Sequence, residues 1–189
     1  MSNFTKILEQ IRIYNEKNPS WIVAEEMGEF LYQKAKKIEA KNILEIGTSI
    51  GYSGLWLAKA AQENKGVLYT IESHGKRFEM AKENFKKAGF SNCIVQIKGH
   101  APEVIPEIYG KWDLVFFDAT KCEHNQYFES ILPNLKKGSI LIVDNVISHK
   151  NAMRDFLEKI ENVKEFLVEK HEKLGQGALL IVIRPPVRP

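Results

Sequence analysis

The sequence predicts an α/β fold, a mostly parallel β-sheet with helices on both faces, carried by one domain over residues 1–189. Three observations lead there. From Asn42 onward, short runs rich in β-branched and aromatic residues alternate with amphipathic stretches, the order expected of successive βαβ units. The runs WDLVFF and SILIV are apolar along nearly their whole length, which suits central strands covered on both sides. The run NILEIG passes through a glycine-containing turn straight into a helical stretch. With 189 residues and 44% hydrophobic content, the chain can build one well-cored domain and not two.

Taken in order, residues 1–40 read as amino-terminal helices. One lies within Phe4–Glu16 and a longer one runs from about Trp21 to Ile38. Ile7, Ile11, Met27, Phe30, Leu31 and Ala35 recur at helical spacing and give these segments an apolar face, suited to covering a sheet edge or the mouth of a site. Residues 41–185 form the core. NILEIG is the first strand, YSGLWLAKAAQEN a helix, VLYTIE the second strand and GKRFEMAKENFKKAG the next helix. CIVQIKG, the short APEVIPEIYG and WDLVFFDA follow, then a helix from about Glu123 to Leu135. GSILIVDN, a helix from about Lys150 to Ile160, and strands near Phe166–Glu169 and Ala178–Ile183 close the domain. The terminal RPPVRP reads as a stiff tail. Trp21, Trp56 and Trp112 are assigned to core or helix–sheet packing.

Composition removes several classes of function. No apolar run approaches the ~20 residues that cross a bilayer, and MSNFTKILEQ lacks the basic-then-apolar order of a secretory signal, so a cytoplasmic protein without membrane contact is expected. Cys93 and Cys122 stand far apart with no CxxC, which suggests neither a disulfide framework nor a structural zinc site. The net charge of +3 is spread over mixed stretches such as KENFKKAG, the pattern of solvated helix faces; it makes no positive case for a nucleic-acid partner.

Chemistry concentrates at the first strand–helix turn. In ILEIGTSIGYSG the strand meets Gly47 and a helix begins a few residues on, so backbone N–H groups and a helix amino end meet beside bare glycines, where a polar ligand can approach the backbone. The spacing Gly47, Gly51, Gly54 departs from GxGxxG and argues against a nicotinamide dinucleotide. The second strand ends in Glu72, where nucleotide-binding α/β proteins place a carboxylate for the ribose hydroxyls.

The strings LEIGTSIGYSGLWLA, YTIES, KENFKKAGF, WDLVFFDATK and GSILIVDNV resemble, in order, the motifs of class I methyltransferases of the catechol and caffeoyl-CoA O-methyltransferase type. The resemblance implies a Rossmann-like sheet of seven strands, mostly parallel with an antiparallel last strand, that binds S-adenosylmethionine. It places Gly47, Thr48, Ser49 and Ser53 along the methionine part, with Val23 at its end, Glu72 on the ribose, and His100 and Ala101 beside the adenine. Glu45, Gly51, Ser73 and Asp118 adjoin these positions and are counted with the cofactor contacts.

Strand four ends in Asp118 and strand five in Asp144 followed by Asn145, three oxygen donors that can converge on one point. Read alone, they fit a helix cap and an Asx turn better than a metal site. The resemblance makes them ligands of a divalent cation, Mg²⁺ being the natural choice for oxygen donors. Lys121, in the string D-A-T-K, then becomes the group that takes a proton from a substrate hydroxyl, so Asp118 and Lys121 are the expected catalytic residues.

The acceptor side departs from the family. ISHKNAMRDF stands where small-molecule members usually carry a longer loop, and LGQGALLIV replaces a more acidic turn. The expected acceptor is a small catechol-like or phenolic hydroxyl. A modified nucleoside in tRNA and a non-catalytic module that binds S-adenosylmethionine are the alternatives, and a homodimer is compatible with all three.

Overall fold

The computed structural model describes residues 2–184, so most of the RPPVRP tail lies outside the described residues. Seven strands form one sheet: β1 Asn42–Ile46, β2 Val67–Glu72, β3 Ile94–Lys98, β4 Trp112–Phe117, β5 Leu135–Val143, β6 Phe166–His171 and β7 Ala178–Ile183. Their spatial order is β3-β2-β1-β4-β5-β7-β6. The first five strands pair in parallel, and β7 inserts antiparallel between β5 and β6. The predicted mostly parallel sheet with an antiparallel last strand is therefore present.

Alternation along the strands builds two cores. Ile43, Leu114, Phe116, Ile140 and Ile142 face one side, together with helices α1 (Asn3–Lys17), α2 (Glu25–Lys37), α3 (Tyr52–Glu63) and α4 (Gly75–Ala88). Leu44, Ile46, Val115, Phe117, Leu141 and Val143 face the other, against α5 (Ala101–Val104), α6 (His124–Ile131) and α7 (Arg154–Glu161). Because side chains alternate with period two, a central strand covered on both faces must be apolar at nearly every position, as WDLVFF is.

The amino-terminal helices pack on the first of these faces, and Phe30 of α2 meets the His171 ring of the edge strand β6 at 4.9 Å. α1 packs on α3 and α4, and α2 packs on α3. Close approach of α2 is possible because Gly28 faces the Trp56 indole, which any added Cβ would overlap. Ser2 caps α1 by accepting the Thr5 N–H at 3.2 Å.

Three predicted helix boundaries need correction. The second helix begins at Glu25, not Trp21, because Trp21 sits at φ +51° and residues 20–24 run outside the helix across the top of the sheet. The helix expected over Glu123–Leu135 is confined to α6, with single 3₁₀ turns at Lys121–Glu123 and Leu132–Asn134, the second holding Pro133 in its first turn. The last helix starts at Arg154, after a run of turns following Asn145. Among the described residues no helix is long and apolar enough to cross a membrane. Cys93 is buried, Cys122 is exposed, and both are free thiols.

Candidate functional site

A cavity of about 520 Å³ opens over the carboxyl ends of β1, β2, β4 and β5, where the strand order reverses between β1 and β4. Such a switch point splays the loops of adjacent strands apart and leaves a crevice.

The floor is the turn after β1. Gly47 has φ +100°, and a Cβ there would overlap the backbone carbonyl of Asp118, so only glycine lets the β1 and β4 turns approach this closely. Ser49 follows at φ +47°, a strained conformation for a residue with a side chain. Two bonds hold it: its N–H donates to Glu72 Oε2 at 2.8 Å and its hydroxyl donates to the Ser20 carbonyl at 2.5 Å. Glu72 Oε1 in turn accepts the His74 N–H at 2.7 Å. One carboxylate thus ties the β1 turn to the start of α4 while lining the cavity.

Beneath the turn lies Glu45, fully buried. Burial pushes its carboxyl up to about 7, against the lowering effect of bonds from Ser53 and Thr70. Thr70 donates to Glu45 Oε2 at 2.5 Å and is bonded to Thr48, while Glu45 Oε1 has no partner. Glu45, Thr48, Gly51 and Ser53 therefore support the turn from below, and their side chains do not line the cavity; Gly51 instead caps α3 at φ +93°. Val23 is buried beside the cavity and lines a neighbouring one.

At one end of the cavity stand Ser73, His100 and Ala101. The His100 ring bonds to Glu123 at 3.0 Å and to Glu103 at 3.3 Å, which raises its affinity for a proton. Tyr127 donates to the other Glu123 oxygen at 2.6 Å, so the network joins the β3 and β4 loops.

At the other end, Phe117 and Val143 are register partners, which makes Asp118 and Asp144 neighbours across the β4–β5 ladder. Asp118 is partly buried and its carboxyl is pushed up to about 7, first by burial and further by the Asp144 charge, with Lys121 opposing. Asp144, 4% exposed, is also raised by burial. Lys121 Nζ donates to Asp118 Oδ1 at 2.7 Å. Asn145 stands at φ +64°; its N–H donates to Asp144 Oδ1 at 2.7 Å and its amide nitrogen reaches Gln176 at 3.5 Å. Asparagine tolerates this conformation better than most residues. Behind Lys121, burial holds the His124 ring down to about 4 and hence neutral.

Ten of the residues singled out from the sequence line this cavity: Gly47, Ser49, Glu72, Ser73, His100, Ala101, Asp118, Lys121, Asp144 and Asn145. Sequence reasoning missed Trp21, Arg77, Thr120, Tyr127, His149 and Gln176 as lining residues. Trp21 corrects an expectation outright. It is 72% exposed and stands at the cavity, whereas Trp56 and Trp112 are core residues as expected. The available signal was its place after Asn18–Pro19–Ser20, a sequence that favours a turn over a helix interior.

A seven-stranded sheet of this order, with a glycine turn and an acidic β2 terminus facing a carboxylate–lysine cluster, defines an adenosyl-cofactor methyltransferase architecture. The chain belongs to the O-methyltransferase family, whose profile matches residues 2–178. It is 35% identical to a catechol O-methyltransferase from Niastella koreensis over 68% of this chain and 60% of that protein. It is 30% identical to a caffeoyl-CoA O-methyltransferase from Medicago sativa over 95% of this chain and 77% of that protein. The match thus spans about 60% of the length of the catechol O-methyltransferase. Among solved structures, the O-methyltransferase from Streptomyces achromogenes involved in tomaymycin synthesis, in complex with SAM, superposes with a TM-score of 0.86 at 26% identity, covering 98% of this chain and 91% of that one. An O-methyltransferase from Bacillus cereus in complex with SAH gives 0.84 at 26% identity, covering 96% and 90%.

Proposed function

We propose that this chain transfers a methyl group from S-adenosylmethionine to a hydroxyl of a small vicinal dihydroxy aromatic, with the help of a divalent cation. One observation carries the reading: a single cavity has Glu72 and a bare-backbone glycine turn toward one end and the Asp118, Lys121, Asp144 and Asn145 cluster at the other. Relatives named catechol and caffeoyl-CoA O-methyltransferase support the acceptor class.

The residues fit both groups. Glu72 is a buried carboxylate at the end of β2, able to accept from ribose hydroxyls. Asp118 and Asp144 are adjacent, Asp144 buried and Asp118 partly so, and the Asp144 charge raises the Asp118 carboxyl. A bound cation would relieve that repulsion, and Asn145 would offer a third oxygen of the kind hard cations take. Among the described residues no three His, Cys, Asp or Glu side chains gather into a metal cluster, so the donor set depends on the asparagine amide.

When bound, S-adenosylmethionine supplies an electrophilic methyl group, and a divalent cation supplies Lewis acidity toward the acceptor oxygen. The chain does the rest. The glycine turn, Glu72 and Ser49 set the cofactor's place, Asp144 and Asn145 orient the acceptor side, and the cavity walls hold the two reactants together. Lys121, once it has parted from Asp118 and released its own proton to solvent, would receive the acceptor's proton at Nζ. The products are the methyl ether and S-adenosylhomocysteine.

The test is calorimetric titration with S-adenosylhomocysteine, followed by methyl-transfer assays over catechols, phenolic acyl esters and undermodified tRNA, with and without Mg²⁺. Binding of S-adenosylhomocysteine and metal-dependent methylation of a catechol are expected. Methyl incorporation into tRNA alone would replace the acceptor assignment; binding of NADH with no response to S-adenosylhomocysteine would overturn the reading.

A further inference from the structure

The segment between α1 and α2 carries the largest side chain of the cavity wall in a position that core packing does not explain. Trp21 is 72% exposed, at φ +51°, in a conformation that few side-chain-bearing residues adopt. A tryptophan left in water at a strained backbone position is held there by its neighbours and not by burial. Two holdfasts are present. The Ser20 carbonyl accepts the hydroxyl of Ser49, itself in a strained conformation in the glycine turn. The Arg77 guanidinium, half-buried on the first turn of α4, lies over the Trp21 ring at 4.4 Å from its centroid.

The position of Arg77 says which part of the cavity this pair serves. α4 follows directly on β2, whose last residue is Glu72, and both Arg77 and Trp21 line the same cavity as Glu72. The Asp144–Asn145 end belongs to β5, on the other side of the strand-order switch. Trp21 and Arg77 therefore stand on the Glu72 side of the strand-order switch, the cofactor side of the site.

We propose that Trp21 and Arg77 form a roof over the adenosyl part of the cofactor site, with the Trp21 ring touching the cofactor directly and Arg77 orienting that ring. The inference rests on the methyltransferase reading above and adds to it a ligand contact contributed by the amino-terminal segment. Ring and guanidinium form a flat cationic lid on one face of the nucleoside, while Glu72 receives its hydroxyls from another.

The experiment uses the tryptophans themselves. Trp56 and Trp112 are 8% and 1% exposed, so quenching of the protein's emission by acrylamide reports mainly on Trp21. Saturating S-adenosylhomocysteine should make the wild-type protein markedly harder to quench, and Trp21→Phe should lose most of that protection effect while keeping most of the affinity. Trp21→Ala should weaken S-adenosylhomocysteine roughly 5- to 150-fold, the range for removing an aromatic that stacks on a base. Arg77→Ala should weaken it roughly 2- to 30-fold, as loss of a cation–π contact does. The Trp21 side chain is exposed, so its removal leaves the core intact; circular dichroism checks this. If S-adenosylhomocysteine binds the wild type while Trp21 stays equally quenchable, Trp21 is no cofactor contact and the proposal fails. It also fails if a catechol alone shields Trp21 and S-adenosylhomocysteine does not. A wild-type protein that takes up no S-adenosylhomocysteine by calorimetry overturns the methyltransferase reading itself, and the roof with it.

Discussion

Lys121 Nζ lies 2.7 Å from Asp118 Oδ1, and the two side chains are each 15% exposed, so the cluster's cation and one of its two carboxylates are paired within a nearly dry site. In that setting the lysine balances a carboxylate that burial and Asp144 both push toward neutrality.

Replacing Lys121 with alanine should lower kcat by about 10²- to 10⁴-fold, the usual contribution of a positioned proton acceptor. S-Adenosylhomocysteine affinity should stay near that of the wild type. The loss should be deepest at low pH, where the acceptor's own ionisation cannot substitute for the missing base. Steady-state rates across pH, with calorimetry for affinity, check both halves; a uniform rate loss that tracks weakened binding would assign Lys121 a structural part only.

Removing the divalent cation with a chelator should abolish turnover reversibly, and Asp144→Ala should do so irreversibly. Asp144 bonds to the Asn145 N–H and follows β5, on the other side of the strand-order switch from Glu72, so cofactor affinity should survive. Added Mg²⁺ should rescue the chelated wild type far better than the variant. Full activity in excess chelator would remove the cation from the proposal.

Glu72→Ala should weaken S-adenosylhomocysteine by about 10- to 100-fold, the range for losing hydrogen bonds to a charged acceptor. It should also loosen the glycine turn, because Ser49 and His74 both donate to this carboxylate. Hydrogen exchange at those amides separates the two effects. Unchanged affinity with faster exchange would leave Glu72 as a structural tie alone.

Glu45 makes the folded protein sensitive to pH. Its carboxyl stands at about 7 when folded, against an ordinary value of 4.5, so the folded chain holds this proton more tightly than the unfolded chain does. The stability it supplies is complete below about pH 4.5 and lost as pH rises through 7. Glu45→Gln keeps the shape and removes the titration, so its melting temperature should gain on that of the wild type as pH rises through this window. At roughly 1.4 kcal/mol per pKa unit the full difference is a few kcal/mol. A constant offset at all pH values would show that Glu45 is not the titrating group.

Gly47→Ala should destabilise the fold by about 2 kcal/mol or more, since alanine resists φ +100° and its methyl group would meet the Asp118 carbonyl. Urea unfolding measures it. A loss no larger than that of a typical surface substitution would mean that the two turns can separate.

The sequence by itself determined the sheet, the strand ends that carry Glu72, Asp118 and Asp144, and the glycine turn. Each is written in local chemistry: β4 is apolar at nearly every position because both its faces are covered, and Gly47 stands where φ is positive. Tertiary structure decided what those residues face. Glu45 and Glu72 look alike as strand carboxylates, yet Glu45 lies sealed beneath the turn while Glu72 faces the cavity; both share one face of the sheet, and the difference is depth, since Glu45 sits inside β1 beside Thr70 and under α3 whereas Glu72 ends β2. Trp21 reads as a core residue from its type alone. Its place at the cavity depends on Arg77 and Ser49, 56 and 28 residues further along, and no local pattern encodes contacts between segments so far apart.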